Sequence, residues 1–120
     1  MVKMLVKGGN MMYNTVMLIG RLTTDPEIVK VDNKEVCHIT LAVQRAYKNS
    51  DGIYEADFIR CTLWDQLASR VCEFCRKGDL ISVRGQLKTS SFMVNEEKKY
   101  STEVVVDRLA FLTSKAKEEV

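Results

Sequence analysis

Alternating apolar and polar positions recur along the chain and predict β-strands. In the segment 36–47 (VCHITLAVQRAY) every second residue from Cys37 to Val43 is apolar, and His38 and Thr40 fall on the opposite face. This alternation is typical of a strand with one face on a core. The preceding residues, with a turn at 32–33, predict a hairpin that leads into this long strand.

The first strand, predicted over Tyr13–Leu22, is apolar on both faces. Val16 and Leu18 share one face, and Met17 and Ile19 share the other. In a small β domain the second apolar face needs a cover, so this strand indicates either another part of the chain over its outer face or an interface with another subunit. Within the same run a glycine at position 20 predicts a bulge or a sharp bend, as at a barrel corner.

The segment Ala56–Trp64 (ADFIRCTLW) predicts a strand with an unusual second face. One face is apolar and suits a core, and it carries Ile59, Cys61 and Leu63. The opposite face carries two aromatic rings, Phe58 and Trp64, with Arg60 between them. Unpaired nucleotides are bound by such surfaces, through base stacking and phosphate neutralisation. A strand buried on both faces is the alternative that this segment leaves open.

One helix is predicted, over Asp65–Lys77, with Asp65 as its N-terminal cap and Gly78 at its end. Its apolar stripe consists of Leu67, Val71, Phe74 and Cys75. Cys72-x-x-Cys75 has the spacing of a metal or redox motif, but the chain has no second such pair and a single histidine. The pair is therefore interpreted as part of a core or an interface.

Two further strands follow the helix. The first, Leu80–Lys88, directs Ile81, Val83 and Leu87 inward, and a hairpin tip over 95–99 leads to the last strand, 100–112. Five principal strands with a helix between the third and the fourth predict an all-β OB-fold, a five-stranded Greek-key barrel. The second and third strands of this fold commonly bind oligonucleotides.

Composition adds limits to this picture. The chain has 120 residues, enough for one domain, and a net charge of +2, so any anionic ligand must be held by local clusters of cations. The chain begins with too short an apolar stretch for a secretion signal or a membrane span, which predicts a reduced, cytoplasmic protein with no membrane partner. No nucleophile–base set or phosphate-binding glycine loop is present, so we expect neither an enzyme nor a cofactor or metal site.

With these elements placed, the sequence resembles the bacterial single-stranded DNA-binding protein family. The resemblance covers 12–112 and rests on six motifs in order: MYNTVMLIGRLTTDPE, ITLAV, ADFIRCTLW, the LA…KG helix, ISVRGQLKT and YSTEVVV. Residues 1–11 are then an N-terminal extension, 12–112 the OB-fold domain and 113–120 a short tail. The tail lacks the acidic-aromatic tip that recruits replication proteins in that family, so such recruitment is not expected.

The resemblance implies four stacking aromatics, namely Tyr47, Phe58, Trp64 and Phe92. It also implies a set of cations along the DNA path, namely Arg60, Arg84, Lys88, Arg45 and Lys48. Alternatives stay open for several of these residues. Phe92 can pack under its own hairpin, strand parity does not fix the face of Tyr47, and Lys48 and Lys88 can be solvated surface charges.

The implied function is sequence-tolerant binding of single-stranded DNA by a cytoplasmic, nucleoid-associated homotetramer in replication, recombination and repair. Two other functions use the same fold: an OB-fold primosome-accessory or RNA-binding protein, and a protein-interaction barrel whose aromatics lie at a subunit contact.

Overall fold

The computed structural model describes residues 12–113, which form a mostly β domain with one helix. In chain order the elements are β1 (Val16–Leu22), β2 (Val29–Val31), β3 (Lys34–Lys48), β4 (Tyr54–Trp64), α1 (Gln66–Phe74), β5 (Leu80–Val94) and β6 (Glu97–Thr113). The predicted extension 1–11, and the predicted tail apart from Thr113, lie outside the described residues.

The strands form a closed five-stranded barrel, which confirms the predicted all-β fold with one helix. The sheet order is β1-β5-β6-β4-β3-β2, and β1 also pairs with β3, which closes the ring. β4 and β6 are parallel, and the other pairs are antiparallel. The short β2 is the first arm of the predicted hairpin and pairs only with β3. The helix therefore follows the fourth strand in chain order and the third strand of the barrel.

The barrel closes where β1 passes from one neighbour to the other. β1 pairs with β5 from Val16 to Arg21 and with β3 at Arg21 and Leu22. Gly20 lies at this corner, and a Cβ there would come within 2.8 Å of the Ala42 carbonyl oxygen. The close approach of the β3 backbone therefore explains the glycine at this barrel corner. The pairing of β1 with β5 continues through Gly20 without the bulge that was one of the two predicted features.

The core fills the barrel and the space under the helix. Its fully buried side chains include Leu41, Leu63 and Ile81, each of which stabilises the fold by roughly 1.5–3 kcal/mol relative to an exposed position. Burial raises the pKa of the Cys61 thiol to about 11, so this cysteine stays protonated and packs as a small apolar residue.

The helix is shorter than predicted and begins without a side-chain cap. It spans Gln66–Phe74, and Asp65 has a φ of 52° with no capping hydrogen bond from its carboxylate. The Asp65 carboxylate instead accepts a hydrogen bond from the backbone N–H of Glu35 (3.3 Å) and so joins the helix start to β3. At the other end the Arg76 guanidinium donates hydrogen bonds to the Cys72 and Cys75 carbonyls. These bonds satisfy backbone carbonyls that have no partner within the last turn of the helix.

The predicted apolar stripe of the helix is correct except at Phe74. Val71 and Cys75 are buried, whereas Phe74 is exposed and its ring lies 5.5 Å from that of Phe111 on β6. Cys72 is half-buried, and its thiol contacts Cys37 at 3.8 Å. Both members of the Cys-x-x-Cys pair are free thiols, with Cys75 in the core and Cys72 packed against it, as the sequence indicated.

The β5–β6 hairpin extends far beyond the barrel. Its tip is the two-residue turn Asn95–Glu96, with φ values of 49° and 67°, and not the longer tip predicted over 95–99. β1 accompanies β5 only as far as Gly85, and beyond it β5 pairs with β6 alone. In this two-stranded ribbon every β5 side chain from Leu87 to Val94 is exposed, and the inward position predicted for Leu87 is therefore wrong.

Candidate nucleic-acid interface

The paired strands β3 and β4 present one continuous outer surface of the barrel. Three residue pairs lie directly opposite each other across the two strands: Ala42 with Phe58, Thr40 with Arg60, and His38 with Thr62. Because opposite residues of antiparallel strands share a face, these six residues and Trp64 form one surface, here called the β3–β4 face.

The two aromatic rings of the β3–β4 face are accessible in the single chain. Phe58 is 69% exposed and Trp64 is 39% exposed, while Leu63 between them in the strand is fully buried. The alternative of a strand buried on both faces is therefore wrong at Phe58 and Trp64, although Thr62 on the same face is buried. Trp64 ends the strand opposite Val36, which is buried.

Tyr47 and Phe92 lie on the two hairpins that adjoin this face. Tyr47 is 66% exposed, near the end of β3 and beyond Gln44, where the pairing with β4 becomes irregular. Phe92 is 49% exposed and lies opposite Lys99 in the β5–β6 ribbon. The ring of Phe92 is therefore not packed away under its hairpin.

Parallel pairing of β4 with β6 brings the two hairpins to the same end of the barrel. Cys61 lies opposite Val104 and Thr62 opposite Val105. Each of the two strands begins at the tip of its own hairpin, and because the strands are parallel, the two tips lie in the same direction from this contact. The ribbon that carries Phe92 consequently extends along the same direction as the part of β4 that carries Phe58.

The cations predicted for the site have different surroundings. Arg60 is exposed on the β3–β4 face and has no ion-pair partner among residues 12–113. Lys48 lies 5.6 Å from the ring centre of Tyr54, a cation–π distance. Lys88 is exposed on the β5–β6 ribbon opposite Glu103.

Arg45 is engaged by two carboxylates. Its guanidinium contacts Asp57 and Glu55, each at 2.8 Å, and Asn49 donates a second hydrogen bond to Glu55 at 3.1 Å. The hydrogen bond from Arg45 holds the pKa of Asp57 below its usual range. These contacts orient the base of the β3–β4 hairpin, so a phosphate at Arg45 would compete with carboxylates already in place.

Arg84 does not lie on the β3–β4 face. It is opposite Met17 on β1, and its guanidinium pairs with Asp107 at 3.0 Å. With Met17, Arg108 and Leu109 it borders a shallow groove on the β1–β5–β6 side of the barrel. The structure thus separates Arg84 from the other predicted site residues.

A polar network on the β3–β4 face was missed by sequence reasoning. Thr62 is only 2% exposed, and its hydroxyl lies 2.6 Å from a Glu103 oxygen and 3.1 Å from Nδ1 of His38. Strand alternation correctly placed His38 on this surface. No sequence signal gave the parallel pairing that brings Glu103 of β6 next to Thr62.

Within residues 12–113 no group of three or more histidine, cysteine or acidic side chains is arranged to hold a metal ion. No helix in that same range is long and apolar enough to cross a membrane.

Comparison with known proteins decides the family. The model described as the single-strand binding protein family matches residues 13–112. The chain belongs to this family. Single-stranded DNA-binding protein B of Bacillus subtilis is 43% identical over 111 residues, which cover 90% of this chain and 97% of the relative.

Other members of the single-strand binding protein family show the same level of similarity. Single-stranded DNA-binding protein 2 of Streptococcus agalactiae is 42% identical over 88% of this chain and 81% of its own length. Single-stranded DNA-binding protein 1 of Lactococcus lactis is 43% identical over 86% of this chain and 70% of its own length. The family consists of non-enzymatic DNA-binding proteins, which agrees with the expectation that this chain is not an enzyme.

Proposed function

We propose that this protein binds single-stranded DNA without regard to sequence and protects it during replication, recombination and repair. The observation that carries the proposal is an exposed aromatic ring, Phe58, beside the exposed cation Arg60 on the outer surface of an OB-type barrel. An aromatic ring stacks on any base, and a guanidinium neutralises any phosphate, so the surface needs no sequence readout. Family membership supports the same function.

The proposed binding path runs over the β3–β4 face and the two adjoining hairpins. Phe58, Trp64, Tyr47 and Phe92 would stack on bases, and Arg60, Lys48 and Lys88 would neutralise phosphates. Arg45 retains a proposed role as a cation near the path, although it is paired with carboxylates. Arg84 would contribute only if the DNA continued past this path to the β1–β5–β6 side, where Arg84 is paired with Asp107. The free thiols at the four cysteines fit a protein of the reducing cytoplasm, where we place this function on exposed strands of the nucleoid.

Titration with oligo-dT tests the function directly, because Trp64 is the only tryptophan of the chain. We expect oligo-dT to quench Trp64 fluorescence, and a series of oligonucleotide lengths gives the site size from the length at which the stoichiometry changes. Duplex DNA of the same charge is the control and should quench little, because its bases are not free to stack. Absence of both quenching and binding at low salt would refute the proposal.

Oligo-rU separates DNA binding from the alternative of an RNA-binding protein on the same fold. Binding of oligo-rU that exceeds that of oligo-dT would favour RNA as the partner. The alternative of a protein-interaction barrel predicts a different result, in which neither oligonucleotide binds and Phe58→Ala dissociates the subunits.

We also propose that the protein acts as a homotetramer assembled through the outer face of β1. Met17 is 73% exposed and Ile19 55% exposed, while Leu18 between them packs against the core. Apolar side chains exposed side by side along one strand favour association with a second subunit. Several subunits in one assembly would join separate stacking sites into one long DNA path and raise the avidity.

The double variant Met17→Glu/Ile19→Glu is expected to lower the mass of the assembly, measured by size-exclusion chromatography with light scattering. Charges on this face would be desolvated by a subunit contact and would oppose it. Val31→Glu, a matched change of an exposed apolar residue on β2, should leave the mass unchanged. A monomeric parent protein, or an unchanged mass of the double variant, would contradict the proposal.

A further inference from the structure

The network on the β3–β4 face fixes where one proton sits. The Thr62 hydroxyl has a single proton, and at 2.6 Å from Glu103 Oε2 it donates that proton to the carboxylate. The same hydroxyl lies 3.1 Å from His38 Nδ1 and can only accept a hydrogen bond there. His38 Nδ1 therefore carries a hydrogen, and a neutral ring has its lone pair on Nε2.

Burial makes this network a fixed support for the histidine. Thr62 is 2% exposed, and no buried side-chain nitrogen or oxygen in the described part of the chain lacks a hydrogen-bond partner. His38 itself is exposed on the β3–β4 face. The imidazole is thus held at Nδ1 from below, and its other edge is open to the surface over which the proposed DNA path runs.

Charged groups of both signs surround the imidazole. Glu103 of β6 accepts the hydrogen bond of Thr62, the residue opposite His38. Arg60 of β4 belongs to the next residue pair on the same face. From β5, Lys88 lies opposite Glu103. On β3, Lys34 shares the strand face of His38. The β2 residues paired with this face of β3, Val29 and Val31, are uncharged.

We propose that His38 is a pH-dependent contact for single-stranded DNA, positioned by Thr62 and Glu103. This inference rests on the proposed function and adds a residue to its site. When the ring is protonated, Nε2 becomes a donor and the imidazolium bears a positive charge beside Arg60, where it binds a phosphate oxygen of the strand. The neutral ring offers only a lone pair at that position, which a phosphate does not bind.

The sign of the pH dependence follows from this difference. If DNA binds the protonated ring more tightly, binding takes up a proton. Affinity therefore rises as the pH falls into the range in which an imidazole is protonated, and it is constant well above that range. The chain has one histidine, so no second imidazole contributes.

The experiment measures the affinity for fluorescein-labelled oligo-dT between pH 8 and pH 5.5 at constant salt, for the parent protein and for His38→Gln. We expect the parent to gain about two- to fivefold at pH 5.5, the range of a solvent-exposed ion pair, and His38→Gln to lack this gain. The α-amino group titrates in the same range and is common to both proteins, so the difference between them is the quantity that tests His38.

A second readout distinguishes a phosphate contact from a structural role. One additional phosphate contact makes the slope of log K against log salt steeper by about 0.7 for a single strand, so the parent should show this change at pH 5.5 and His38→Gln should not. Thr62→Val removes the support at Nδ1, and we expect it to reduce the pH-dependent gain.

Three results would overturn parts of the inference. Equal affinity of the parent and of His38→Gln at every pH excludes His38 as the contact. An affinity of His38→Gln that is lower by the same factor at every pH shows a structural role for His38. An undiminished gain in Thr62→Val refutes positioning by Thr62. Absence of oligo-dT binding by the parent at every pH would instead refute the proposed function.

Discussion

Phe58→Ala and Trp64→Ala are each expected to weaken binding of oligo-dT by about 1–3 kcal/mol, roughly 5- to 150-fold in Kd. The reason is the loss of a base-stacking surface on the β3–β4 face, where Phe58 exposes 69% of its surface. Anisotropy of a labelled oligonucleotide is the suitable measurement, because Trp64→Ala also removes the fluorophore of the protein.

Phe74→Ala provides a matched control for these variants. Phe74 is another exposed aromatic residue, 59% accessible, but it lies at the end of α1 and packs against Phe111. Its replacement should change the affinity for oligo-dT by less than twofold, which is a negligible change in the free energy of binding. Unchanged oligo-dT binding in Phe58→Ala, with dissociation of the subunits, would show that the ring belongs to a protein contact and that the proposed stacking is wrong.

Gly85→Ala is expected to reduce the free energy of unfolding by about 3 kcal/mol, the upper part of the range for overpacking. A Cβ at this position would lie 2.1 Å from the carbonyl oxygen of Val105 and 2.8 Å from its carbonyl carbon. Both atoms belong to the backbone of the neighbouring strand β6, so no side-chain rotation relieves the clash, and β5 must separate from β6.

Urea unfolding followed by Trp64 fluorescence measures this effect. Gln86→Ala, at the adjacent exposed position, should change the free energy of unfolding by no more than about 0.5 kcal/mol. A variant Gly85→Ala that fails to fold agrees with the prediction. Equal urea midpoints for the two variants would contradict the close approach of β5 and β6 at the bulge between Arg84 and Gly85.

Strand alternation was sufficient to predict most of the barrel from the sequence. It placed Leu41 and Leu63 in the core and Phe58 and Trp64 on the outer surface, because each strand keeps one face toward the same interior. The order of strands and helix then led to the correct fold class.

Several features depend on pairings between distant strands and could not be predicted locally. Leu87 follows the alternation of β5, yet it is exposed because β1 no longer accompanies β5 beyond Gly85. Asp65 has the residue type of a helix cap, but its carboxylate bonds to the backbone of β3. The positions of Arg84 and Glu103 likewise depend on which strands are neighbours.

The division of β5 at Gly85 separates residues that hold the fold together from residues proposed to contact DNA. Residues before the glycine are fixed by three-strand packing, whereas β5 from Gln86 to Val94 contributes no buried side chain to the barrel. The length of the β5–β6 ribbon, and exposed side chains on it such as Phe92, can therefore change in evolution or by design at little cost to the stability of the domain. Variants in the ribbon would be expected to alter the affinity for oligo-dT or the site size and to retain the urea midpoint of the parent protein.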